Sequence, residues 1–134
     1  MRRLTRWTAG LVLVATLFAG MASANEVEVV KVRFEWQVNA WQVSTTLRHA
    51  DSGWDHYADG WRVVDAEGEV LATRTLYHPH ENEQPFTRSL GNVLVPPGVS
   101  TVFVEAHDKR HGWSGQRVRV DLNQARGERF EVRR

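Results

Sequence analysis

The chain has 134 residues, 42% hydrophobic and 25% charged, with six histidines, no cysteine and a formal net charge of +1. That length suits one domain with a leader and leaves no room for two domains. The lack of cysteine excludes disulfides and thiolate metal sites. With no basic excess and no Lys/Arg run interleaved with aromatics, nucleic-acid binding has no electrostatic footprint.

The first segment orders Arg2, Arg3 and Arg6 before an apolar stretch from Leu11 to Phe18 and the small residues Ala22, Ser23 and Ala24. Charged, apolar and small regions in that order predict a cleavable secretory signal over 1–24, and hence a periplasmic or secreted protein. The apolar stretch is well short of the roughly 20 residues that span a bilayer, which argues against integral membrane insertion. The leader holds three of the 17 basic residues and none of the 16 acidic ones, so the expected mature domain, 25–134, carries a net charge of −2. Both methionines lie in the leader, and no cysteine is available for lipid attachment.

Beyond the leader, β-branched and aromatic runs alternate with turn-forming clusters at about ten-residue spacing, which predicts an all-β sandwich or barrel. The expected strands cover 27–36, 41–48, 57–64, 70–77, 86–95, 101–106 and 117–122. Alternation is clearest where Trp41, Val43, Thr45 and Leu47 share a face, and again in Val102, Val104 and Ala106 and in Val118, Val120 and Leu122. The first strand changes face between Val27/Val29 and Val30/Val32/Phe34, which predicts a bulge or a change of sheet. Asp65-Ala66-Glu67-Gly68 and Pro96-Pro97-Gly98 read as tight turns. Residues 127–132 alternate once more, either extending the 117–122 strand or adding an edge strand.

Seven short strands with Trp61 in the third resemble the immunoglobulin or fibronectin type III class of antiparallel sandwich. The cysteines of antibody domains are absent, and the 101–106 strand has no tyrosine for a tyrosine corner. The runs Trp54-Asp55-His56-Tyr57-Ala58-Asp59-Gly60-Trp61-Arg62-Val63-Val64 and Tyr77-His78-Pro79-His80-Glu81-Asn82-Glu83-Gln84-Pro85-Phe86-Thr87-Arg88 resemble those of a family of small bacterial secreted proteins with no established activity. That resemblance implies export and no mechanism.

In an up-and-down order of these strands, alternate connections emerge at the same end. His49 and His56 fall in the second connection, His78 and His80 in the fourth, and His107 and His111 in the sixth, so all six histidines gather at one pole. Asp51, Asp55, Glu81, Glu83 and Asp108 gather there too. Imidazole is the commonest protein ligand for zinc and copper near neutral pH, and carboxylates complete such shells. In His78-Pro79-His80 the two rings lie two residues apart on a backbone restrained by proline, which could preset two ligands. His107 sits at the end of its strand and His111 across the turn, so one ring from each loop would make a three- or four-ligand site with His49 or His56. Without Met or Cys in the mature chain, Zn(II) or Cu(II) is the expected ion, with Ni(II) beside them.

The same loops hold Trp54, Tyr57, Tyr77 and Trp113 beside Asp55, Glu81 and Asp108, a surface suited to carbohydrate, peptide or envelope-protein recognition. The alternative reading of the loop tryptophans is structural: Trp54, like Trp61, would fold back to cap the core. A purely structural accessory domain is the third reading. No nucleophile elbow is present, Ser114 does not match one, and neighbouring Asp55 and His56 should point to opposite sides of a strand, so the function expected is non-catalytic. Arg62, Arg74 and Arg88 are mid-strand charges expected to ladder with acidic neighbours on an open sheet face.

Overall fold

The computed structural model describes residues 26–134 and, before them, Gly10 alone; the expected leader over 1–24 lies outside the described residues. The described chain is built of strands without a helix: β1 (Glu28–Gln37), β2 (Ala40–Arg48), β3 (Ala58–Asp65), β4 (Val70–Thr75), β5 (Phe86–Val93), β6 (Thr101–Asp108), β7 (Gly112–Asp121), β8 (Arg126–Gly127) and β9 (Phe130–Arg133). They form a five-stranded sheet in the order β5-β2-β1-β9-β8 and a four-stranded sheet in the order β4-β3-β6-β7, so the fold is a two-sheet structure and not a barrel. No helix of the described residues is long and apolar enough to cross a membrane.

Alternation drives the packing. In β6 the residues Val102, Val104, Ala106 and Asp108 are all buried, while Thr101, Phe103, Glu105 and His107 are only partly so. Val118 and Val120 of β7, Val63 and Trp61 of β3, and Val43 and Leu47 of β2 join them in one core shared by both sheets. Trp61 is fully buried, and removing a core aromatic of this kind costs about 3–5 kcal/mol. The expected change of face in the first strand is a bulge in the β1/β2 ladder between Val29 and Lys31.

Several strand ends differ from the sequence reading, two of them because one hairpin is longer than the hydrophobic pattern. β6 runs on to Asp108 and β7 begins at Gly112, because the hairpin ladder continues through His107↔Trp113 and Asp108↔Gly112 up to the turn. Gly112 closes that turn with φ +77°, a conformation glycine adopts without a Cβ penalty. Polar residues in such a ladder give no hydrophobic alternation, so the sequence hides them. The strands expected over 70–77 and 86–95 stop early, at Thr75 and Val93.

The tail adds to the sheet instead of prolonging β7. β9 pairs in parallel with β1 through Val32↔Phe130 and Phe34↔Val132, and β8 forms the edge beside it. Phe130 and Val132 are buried in the shared core, which accounts for the docking. A Cβ at Gly127 would collide with the Phe130 ring, so that position needs a bare backbone.

Candidate metal centre

Three connections converge at one end: β2–β3 (49–57), β4–β5 (76–85) and β6–β7 (109–111). Asp51 ties the first two. Its Oδ1 accepts the Ala58 N–H at 3.0 Å and lies 2.6 Å from His49 Nδ1, and its Oδ2 accepts the His80 N–H at 2.7 Å. Gln84 adds a clasp, its Oε1 accepting the His49 N–H and its Nε2 donating to the His80 carbonyl. Burial pushes the Asp51 carboxyl up, but the hydrogen bonds from His49, His80 and Ala58 outweigh it and hold the group below the ordinary aspartate range. An ionised Asp51 can only accept, so His49 Nδ1 carries the proton and donates it.

Asp108 does the same for the third connection. It is fully buried at the end of β6, and its Oδ1 accepts the Arg110 N–H at 2.9 Å, the His111 N–H at 2.7 Å and His111 Nδ1 at 3.1 Å. Desolvation raises its pKa, yet the backbone donors of His111 and Arg110 and the His111 ring prevail and lower it.

His49, His56 and Asp108, all buried, each offer one donor atom within 4.8 Å of the others. His56 Nε2 lies 3.6 Å from Asp108 Oδ1, too far for a hydrogen bond. It is close to the roughly 3.3 Å that separates two ligands of a tetrahedral zinc with bonds of about 2.0 Å. His56 Nε2 and Asp108 Oδ2 are both buried with no hydrogen-bond partner. Buried polar atoms are normally satisfied, so two unpartnered atoms on two members of the triad stand out. The His49 ring meets the His56 ring edge-on at 4.8 Å, and the His111 ring lies 5.0 Å from His56. This His/Asp triad could hold a metal ion.

The remaining histidines are placed apart. His107 follows the alternation of β6: Asp108 points inward, so His107 points to the outer face of the four-stranded sheet. There its Nδ1 pairs with Asp59 Oδ1 and its ring packs against Trp113 at 4.9 Å. His78 is exposed and its ring lies 4.5 Å from that of His80. His80 stacks on Phe86 at 4.1 Å with 10° between planes, and its two ring nitrogens are buried without partners. Burial, reinforced by Arg88 and His78, lowers the His80 pKa.

The loop aromatics divide as well. Trp54 does not cap the core: it is 64% exposed, its ring edge-on to the buried Tyr57 at 5.9 Å. Tyr77 is 73% exposed, and Asp55 and Glu81 are exposed as well. Trp113 lies on the outer sheet face under the Arg62 guanidinium, 3.6 Å from its ring centroid. Arg62 also pairs with its cross-strand neighbour Glu105, and Arg88 pairs with Glu83, whereas Arg74 donates to the Ser89 and Thr75 carbonyls. Sequence reasoning placed Asp51 at the pole without giving it a role, and gave Asp59 none. Their only signals were the spacing of two between His49 and Asp51 and the place of Asp59 next to Gly60, the residue that pairs with His107 across β3 and β6.

Over 80 residues, 60% of this chain and 39% of the relative, the chain is 45% identical to a protein of Halomicrobium mukohataei named "Putative lipoprotein". The chain thus spans about two-fifths of that relative's length. No protein-family model matches the chain. No solved structure matches it.

Proposed function

We propose that residues 25–134 form an exported, non-catalytic β-sandwich of the immunoglobulin or fibronectin type III kind. It binds a divalent transition metal, Zn(II) or Cu(II), through His49, His56 and Asp108. The observation that carries the metal is the pair of buried, unpartnered atoms His56 Nε2 and Asp108 Oδ2 inside a cluster of three donors. Asp51 behind His49 supports it, because a carboxylate bonded to one imidazole nitrogen fixes the orientation of the ring. Burial of all three donors favours a holding site over a catalytic one, which keeps an open coordination position. The sandwich class is supported by β4 pairing with β3 on the sheet that carries β6 and β7, as the extra strand of a variable-type domain does. Export is supported by the leader pattern and by the name of the lipoprotein relative.

Metal analysis of protein purified without a histidine tag, followed by titration with Zn(II) and Cu(II) at about pH 7.5 and about pH 5.5, tests this reading. Coordinated imidazoles lose affinity as they protonate, so binding must weaken in acid. A titration insensitive to pH contradicts it. A second reading, a recognition module for carbohydrate, peptide or an envelope protein, is favoured by the exposure of Trp54 and Tyr77. Quenching of tryptophan fluorescence by glycans in the absence of metal would select it.

A further inference from the structure

Resting on the metal centre proposed above, we propose that His111 is its exchangeable fourth ligand, the group through which an ion enters and leaves the buried triad. Three protein donors leave a four-coordinate ion one ligand short. The side chains of His49, His56 and Asp108 are 1%, 10% and 0% exposed, whereas that of His111 is 31% exposed. An ion arriving from solvent therefore meets His111 first.

The local chemistry suits a ligand that changes partners. The His111 ring sits 5.0 Å from His56, and its Nδ1 donates to Asp108 Oδ1 at 3.1 Å. Turning to ligate costs the ring at most that single bond. Asp108 stays anchored meanwhile, because its Oδ1 keeps the backbone N–H groups of Arg110 and His111. The turn itself need not rebuild, since only the side chain of residue 111 rotates between carboxylate and ion. His107, on the outer face of β6, is held by Asp59 and Trp113, and His78 packs on His80. Neither is placed to compete for the same coordination position.

The absence of cysteine makes a direct test available. In H111C the new thiol is the only one in the chain, so Co(II) loading should produce a sulfur-to-cobalt charge-transfer band. H107C, on the opposite face of the same hairpin, should give none. H111A should bind Zn(II) about tenfold or more weakly in competition with a chelator, and release it faster, while circular dichroism stays that of the wild type. The inference is overturned if the H111C complex lacks the band, or if H111A keeps wild-type Zn(II) affinity and release while H56A has lost binding. In that case the triad stands and only the role of His111 falls. If the wild type itself takes up neither Co(II) nor Zn(II), the metal centre and the exchange ligand fall together.

Discussion

The two ends of the sandwich solve the same problem, satisfying backbone groups where strands stop, in opposite ways. At the end away from the histidines the turn bonds are mostly local, although the Leu122 N–H also reaches the Ser100 carbonyl. Asp65 Oδ1 accepts the Glu67 and Glu69 N–H groups, Asp121 Oδ1 accepts that of Asn123, and the Val99 N–H bonds the Pro96 carbonyl. The partners of these last bonds lie within four residues of one another. At the histidine end the connections satisfy one another: His49 bonds Gln84, His80 bonds Asp51, and the rings of His56 and His111 meet. A set of loops held together by two buried carboxylates, with unpaired donor atoms left inside, is costly unless something else occupies the centre. That difference supports the proposed metal centre at the histidine pole.

Removing the carboxylate hubs should separate the two ends most sharply. D51A strands three buried donors and should lose about 3–5 kcal/mol in urea unfolding. D65A, which frees two exposed turn N–H groups, should lose only about 1 kcal/mol. Equal losses would show that the poles do not differ. Metal should act on the same end: Zn(II) at 100 times its Kd should stabilise the wild type by about 2.7 kcal/mol, and H56L should abolish the gain. Metal-free H56L should be at least as stable as metal-free wild type, because the substitution removes a buried unpartnered nitrogen.

A smaller effect is expected at the far pole. Val38 is 95% exposed at φ 58°, a conformation disfavoured for a β-branched residue, so V38G should raise the urea midpoint by about 1 kcal/mol of stability. The smallest effect is a pH step. His80 titrates below its ordinary value of 6.5 in the folded chain, so its contribution to stability is complete above that value and declines as pH falls towards the lower folded pKa. Asp51 and Asp108 are also lowered, from 3.8, so theirs is present above that value and lost in stronger acid. H80F should remove the upper step of the acid unfolding profile and leave the lower one.

Much of this was legible in the residues. Period-two alternation placed the strand cores, the face change at Val29 to Lys31 marked the bulge, and Gly68 and Gly98, both at positive φ, sit in the turns read from the sequence. Chain polarity alone put the six histidines at one end. It could not divide them, because whether a ring joins the cluster depends on the pleat: Asp108 and His107 are adjacent in sequence and face opposite sides of the sheet. Sequence alone offers Trp54 as either a surface aromatic or a core cap; the fold leaves it 64% exposed while Tyr57 and Trp61 are buried. The tail stayed ambiguous because parallel pairing of Phe130–Arg133 with β1 spans nearly the whole domain, beyond the reach of local pattern.

The most direct test is calorimetric titration of tag-free protein with Zn(II), wild type beside H56A and D108A. One ion bound per chain, with binding lost in both variants, is the result expected. Saturable binding that survives both substitutions, or no heat from the wild type, would contradict the centre at His49, His56 and Asp108.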